Sequence, residues 1–354
     1  MQDMTNYFLR RIRAEGPITV ADYMLDCLLH PTMGYYTTRE SIGKTGDFIT
    51  APEISQMFGE MLGLCLAQCW IDQGAPTPFA LAELGPGRGT LMADILRATR
   101  GVPGFHDACQ LHLVEASEKL RALQAATVTG ATPTWHDSLS TIPELPLFLV
   151  ANEFFDALPI RQFLRDGTGW RERLVGIAED QLVFGLSGLA DVPALAARLN
   201  DTQDGDMVEL CPAGTAIASE LGRRITRKGG VAMIVDYGDW RSLGDTFQAV
   251  QAHTKVPVLQ TPGHSDLTAH VAFEPLAAAS GCQTTELTGQ GMFLERLGIT
   301  DRARTLAALN PNTAQDTISA HRRLTHPAEM GTLFKVLALF PENAAPPPGL
   351  SGQG

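Results

Sequence analysis

The rhythm of apolar and polar positions changes along the chain. Apolar residues recur at helical spacing over Tyr7–Ala14, Val20–Leu29 and Ile54–Gln73, so the first 75 or so residues read as mostly helical, with the turn Gly16-Pro17 between the first two helices. His30–Glu53 interrupts that pattern with Pro31, Gly34, Gly43, Gly46 and Pro52, yet it also carries Tyr35, Tyr36, Phe48 and Ile49. Aromatic side chains in a Gly/Pro-punctuated stretch point to a packed or ligand-covering loop. From Phe79 short apolar runs alternate with helical stretches, the pattern of a parallel α/β sheet. The runs are Phe79–Leu84, Leu111–Glu115, Leu147–Asn152 and Val231–Asp236, with a short strand near Thr132–Trp135 and helices near Thr90–Arg100 and Ser117–Val128.

Ile160–Gly188 breaks the alternation: Gly167, Gly169 and the alternating Leu174, Ile177, Leu182 and Phe184 predict an inserted antiparallel meander, followed by a helix over Ala213–Arg227. Beyond Asp236 the pattern predicts an irregular stretch to about Ser265, a helix to Ala279, a strand Cys282–Leu287, short helices from Gln290 to Leu324 and a last strand Leu333–Leu339. The Pro-rich end from Pro341 reads as disordered. The expected organisation is a helical region with a covering loop over 1–78, a sheet-forming core over 79–340 with an insertion at about 160–228, and a flexible tail at 341–354.

Composition narrows the class. With 354 residues, 44% hydrophobic and 19% charged, the chain is a globular protein, and disorder is excluded. The longest apolar run, Met57–Ile71, is broken by Glu60 and Gln68 and falls short of the ~20 residues of a membrane span. The opening Met1-Gln2-Asp3-Met4, with Arg10, Arg11 and Arg13 after Phe8 and Leu9, lacks the order of a secretory signal, and the expected compartment is the cytoplasm. Six cysteines without a Cys-x-x-Cys pair fit neither a disulfide scaffold nor a zinc site, and no metal is expected. Acidic side chains outnumber basic ones by 39 to 27, a net charge of −12 that argues against a nucleic-acid surface and is compatible with a basic partner.

The sharpest local signal is Ala82-Glu83-Leu84-Gly85-Pro86-Gly87-Arg88-Gly89-Thr90, directly after a strand and before a helix. Glycines there permit a tight turn and let a ligand lie against backbone at a helix N-terminus. The spacing Gly-x-Gly-x-Gly, with Glu83 two positions before Gly85, differs from the dinucleotide fingerprint Gly-x-Gly-x-x-Gly. It resembles motif I of class I S-adenosylmethionine-dependent methyltransferases. A nicotinamide cofactor and a bare structural turn are the competing readings. Glu115, ending the next strand, can accept both ribose hydroxyls of a nucleoside or cap the following helix. Asp137 in Trp135-His136-Asp137-Ser138 can face an adenine amine or cap a turn. Ala151-Asn152-Glu153-Phe154-Phe155-Asp156-Ala157-Leu158-Pro159 places two carboxylates, Glu153 and Asp156, at the carboxyl edge of the sheet, as an acidic slot for a cation or as exposed turn acids.

Over about residues 5 to 340 the chain resembles the MidA-type methyltransferases, whose mitochondrial member is an arginine methyltransferase and respiratory complex I assembly factor. The resemblance rests on Gly46–Ser55 (GDFITAPEIS), Glu83–Thr90, Leu113–Ser117, Asn152–Pro159, Val235–Gly238 and Ser265–Val271. It implies an α/β, Rossmann-like class I methyltransferase fold with a helical N-terminal extension and an inserted β-meander. It also implies an S-adenosyl-L-methionine site built from Glu83, Gly85, Pro86, Gly87, Gly89, Thr90, Glu115 and Asp137, roofed by the loop bearing Asp47 and Thr50. Asn152, Glu153 and Asp156 would face the methyl acceptor, with Asp236, Tyr237 and Asp266 on the other side; Glu153, Asp156, Asn152 and Asp266 are the candidate catalytic residues. The implied acceptor is an accessible arginine of a protein such as the 49-kDa-type subunit of complex I. A second copy of the chain is admitted as a partner, nucleic acid and membrane insertion are not. One departure stands out: after His270-Val271 the family pattern continues with an acid, and here Ala272 precedes Phe273. If that acid belongs to the substrate site, the substrate differs. A methyltransferase for another amine, amide or small molecule and a non-catalytic cofactor-binding assembly factor are the alternatives.

Overall fold

A computed structural model describes residues 3–38 and 50–353. Six strands form the body of the central sheet: β1 (Phe79–Leu84), β2 (Cys109–Val114), β3 (Thr134–His136), β4 (Leu147–Asn152), β5 (Gly230–Asp239) and β6 (Phe334–Phe340). Their spatial order is β3-β2-β1-β4-β5-β6, with the short strand Gln283–Thr284 beyond β6. Pairing is parallel from β3 through β5, and β6 runs antiparallel to β5 with Val235 opposite Val336. The chain leaves β1 toward one edge and returns through β4 toward the other, so the carboxyl ends of β1 and β4 flank the point where the order reverses. In open α/β sheets that crevice is where ligands bind.

Every residue of β1 and β4 is buried because helices cover both faces of the sheet. Alternation sorts the side chains: Phe79, Leu81, Phe148, Val150, Met233 and Val235 pack with the helices Gln56–Asp72 and Thr90–Ala98. Ala80, Ala82, Leu149, Ala151, Ala232 and Ile234 pack with the helices Pro212–Lys228 and Phe273–Ser280. The helix Pro212–Lys228, grouped with the insertion when read from sequence, therefore belongs to a layer of the core.

The meander forms over Arg161–Asp166, Gly169–Ala178 and Gln181–Leu186, and Met207–Leu210 adds to its first strand. Ile18–Thr19 pairs with Gly169–Ala178 through Ile18 opposite Val175, which joins the N-terminal region to the insertion. Phe8, Tyr23, Met24 and Cys27 bury against Ile160, Val175, Phe247 and Leu267.

Two expectations fail in the last third. The helix read from Ser265 begins only at Phe273, because Asp266–Thr268 pairs antiparallel with Gln248–Gln251, itself paired with Thr254–Val256, in a stretch read as irregular. The tail read as disordered is packed: Leu350 is 8% exposed, Glu286 N–H donates to Ser351 O, and Gln353 N–H donates to Thr284 O. Apolar burial of Leu350 and pairing to the sheet edge outweigh the Pro-rich composition. Among the described residues no helix is long and apolar enough to cross a membrane.

Candidate active site

At the crevice the chain leaves β1 through three glycines in left-handed backbone, Gly85 at φ +61°, Gly87 at +54° and Gly89 at +83°, and enters the helix Thr90–Ala98. Only glycine adopts that region freely, which explains the spacing. Around the turn lies a cavity lined by Glu83, Gly85, Pro86, Gly87, Arg88 and Thr90, by Thr50, Pro52 and Glu53, and by Asn152 and Glu153 from the end of β4. The structure thus brings together candidates from three separate segments. Asp47 lies outside the described residues.

The polar groups of this cavity are only partly satisfied. Glu83 Oε2 and Asn152 Oδ1 are buried with no hydrogen-bond partner. Burial, followed by the negative charge of Glu115, pushes the Glu83 carboxyl up to about 8. Glu153 has φ +49°, and its Oε1 accepts from Ala51 N (3.0 Å) and Asn152 Nδ2 (3.2 Å). Burial raises its pKa to about 7 against the lowering effect of the Ala51 N–H. Thr90 donates its hydroxyl to Glu53, closing one side of the cavity.

Glu115 is nearly buried; its Oε1 accepts from Ser117 N (2.8 Å) and its Oε2 from Gln124 Nε2 (3.1 Å). Each carboxylate oxygen has two acceptor positions, so both retain capacity for a further donor. Asp137 is exposed, paired with Arg121, and sits at the rim of a second, more apolar cavity formed by Leu84, Val114, Leu139, Phe154 and Ile217. Phe154, between the two acids in sequence, turns its ring to this cavity and to Gly85.

Beyond Glu153 lies a buried acidic cluster. Asp156 Oδ1 is unpartnered, and burial raises this carboxyl to about 6 while the Tyr237 hydroxyl lowers it. Asp266 accepts from Tyr36 Oη at 2.8 Å. Tyr36 was not singled out by its sequence, since nothing local distinguishes it from Tyr35. Asp236 differs from the expectation that it lines the site: its Oδ2 accepts from Phe155 N (2.9 Å) and Asp156 N (3.2 Å), and its Oδ1 from Tyr237 N (2.9 Å). It holds the 153–156 turn in place rather than facing a cavity. Burial, then repulsion from Asp156 and Glu153, raises its pKa well above the usual range.

Ala272 is the N-cap of the helix Phe273–Ser280, with no side-chain cap. An acid at this position is placed to accept from the first-turn N–H groups, so its absence here bears on the helix.

The family model Methyltransf_28, which describes S-adenosyl-L-methionine-dependent methyltransferases, matches residues 61–292. The bovine protein named protein arginine methyltransferase NDUFAF7, mitochondrial, is 39% identical over 96% of this chain and 83% of its own length. The human protein of the same name is 38% identical over the same shares. Among solved structures, a COG1565 superfamily member from Burkholderia thailandensis bound to S-adenosyl-homocysteine has a TM-score of 0.86 and 29% identity, covering 99% of this chain and 95% of that one.

Proposed function

Because the chain belongs to this family of S-adenosyl-L-methionine-dependent methyltransferases, we propose that its methyl acceptor is an arginine guanidinium on a partner protein. The observation that carries the reading is the buried acidity just past the end of β4: Glu153 and Asp156 stand there, with Asp156 Oδ1 unpartnered, where a planar cation would find acceptors. The names of the relatives supply the same acceptor for those proteins.

The chain's residues fit the cofactor. The unpartnered Glu83 Oε2 suits an ammonium, the glycine turn brings backbone to the cavity wall, Glu115 suits ribose hydroxyls, and the apolar cavity rimmed by Asp137 suits an adenine. When bound, S-adenosyl-L-methionine supplies an electrophilic methyl group for in-line transfer. A guanidinium is a poor nucleophile because it stays protonated and delocalised. Carboxylates that clasp two of its nitrogens fix the plane and leave the third to attack. Oε1 of Glu153 already holds two donors, so a clasp through both of its oxygens is not available. The fork bridges Oε2 of Glu153 and the unpartnered Oδ1 of Asp156. As the methyl group transfers, charge delocalises over the guanidinium, and Glu153, pushed up to about 7, takes the surplus proton from the nitrogen it clasps at neutral pH.

The client in this reading is a respiratory complex I subunit of the 49-kDa type, as the family resemblance implies. The setting is the cytoplasm, and the six free thiols suit a reducing compartment. The test is to incubate the purified protein with S-adenosyl-L-methionine and that subunit and to map methylarginine by mass spectrometry. Methylation at one arginine with stoichiometric S-adenosylhomocysteine release is expected. Methyl transfer to a small amine with none to the protein would overturn the acceptor.

A further inference from the structure

Gln124 lies on the helix Glu118–Thr127 and is completely buried, an expensive place for a carboxamide unless each polar atom is matched. All are. Trp135 Nε1–H donates to Gln124 Oε1 at 2.9 Å, and Gln124 Nε2 donates to Gly87 O at 2.8 Å and to Glu115 Oε2 at 3.1 Å. An indole N–H can only donate, so it fixes which end of the amide is oxygen. The two N–H groups must then face the glycine turn and the carboxylate.

One turn earlier on the same helix face, Arg121 Nε donates to the Glu115 carbonyl at 2.8 Å and its guanidinium pairs with Asp137. The helix thus ties together three parts of the nucleoside side of the site that come from different strand ends. Gly89 adds to this: a Cβ there would sit 3.4 Å from Gln124 Cα, so turn and helix are in direct contact.

We propose that Gln124 is a positioning residue for cofactor binding: it sets the Glu115 carboxylate and the Gly87 peptide in register with one another, so that ribose hydroxyls and the methionine end meet a preformed site. The inference rests on reading Glu115 as the ribose acceptor. It assigns the cofactor's affinity partly to a side chain that never touches it, with Trp135 as the anchor that keeps the amide from turning over.

The experiment is a double-mutant cycle on the full chain, with calorimetric titration of S-adenosylhomocysteine and initial rates with the methyl-accepting protein. Gln124→Met keeps the volume and removes the hydrogen bonds. It is expected to weaken binding about tenfold or more, as for loss of a bond to a charged group, and to raise KM for S-adenosyl-L-methionine while leaving kcat at saturation within about twofold. In a Glu115→Gln background the same change is expected to alter Kd clearly less than in the wild type, because one of the two groups being positioned has lost its charge and only the Gly87 peptide is left to hold. Independent, multiplying effects, or unchanged binding in the single variant, overturn the proposal. Wild-type affinity in Glu115→Gln alone overturns the ribose reading itself, a separate outcome. If Gln124→Met does not fold, Trp135→Phe releases only the anchor. A KM increase with kcat retained then supports the proposal, and unchanged KM refutes it.

Discussion

Phe154 lies against Gly85: its Cδ2 is 2.8 Å from the point a Cβ on Gly85 would occupy. The ring fills the room left by the missing side chain and stands between the glycine turn and the apolar cavity. Alanine at 85 meets both this ring and a φ of +61°, which costs about 1–2 kcal/mol for an L-residue. Gly85→Ala is expected to lower thermal stability and weaken S-adenosylhomocysteine binding at least about tenfold; trimming the ring in Gly85→Ala/Phe154→Leu should recover part of the binding. Calorimetry showing undiminished affinity in the single variant would remove the turn from the cofactor site.

Glu153→Gln keeps the shape of the side chain and removes its charge and basicity. Turnover is expected to fall by at least ~10²-fold, as for loss of a general base or charge-stabilising group, with cofactor Kd within about threefold. Rates equal to wild type would assign the clasp to other carboxylates.

The Glu83 carboxyl is raised to about 8, so the folded protein holds a proton there that the unfolded chain has released. Stability from this group is fully present below the ordinary glutamate range near 4.5 and is lost as pH rises through 8. The melting temperature of the ligand-free protein is therefore expected to fall between pH 5.5 and 8.5, and Glu83→Gln should flatten part of that slope. Cofactor binding runs the other way, because an ammonium needs the ionised form. Affinity measured by calorimetry is expected to increase from pH 6 to 8 and to lose that increase in Glu83→Gln; a pH-independent Kd in the wild type would contradict the pairing.

Ala272 caps the helix Phe273–Ser280 without a side-chain acceptor. Ala272→Asp is expected to stabilise the protein by about 0.5–2 kcal/mol in urea unfolding, with turnover unchanged. A gain in turnover larger than the change in folded fraction would place this position in the substrate site after all.

The sheet was legible because β1, β4 and β5 are buried on both faces and read as continuous apolar runs bounded by Gly and Pro. The glycine turn was legible because it needs a residue type, not a partner. What the sequence concealed depends on distant pairing. Asp266–Thr268 is a strand because Gln248–Gln251 lies beside it, and no local periodicity records that. Asp236 and Asp266 look alike as strand acids, yet one spends its oxygens on three backbone N–H groups and the other meets Tyr36. Gln124 is one glutamine in an ordinary helix until Trp135 and Glu115 are brought to it. The place of the Phe154 ring between Gly85 and the apolar cavity likewise depends on a rotamer, which a motif does not encode.

The pairing of Ile18 with Val175 has a consequence for synthesis. A chain made from its N-terminus exposes Phe8, Tyr23 and Met24 long before Val175, Phe247 and Leu267 exist to bury them. The first helices must wait, apolar faces uncovered, until about three quarters of the molecule has left the ribosome, and contacts of such long sequence separation form slowly. The same wait applies to Tyr36 in the acidic cluster: the glycine turn, Glu115 and Asp137 all come from residues 79 to 137, but the Tyr36–Asp266 hydrogen bond forms only when residue 266 has been made. A nascent protein released early would carry the glycine turn at the sheet's edge without Asp236 and Asp266 of the acidic cluster.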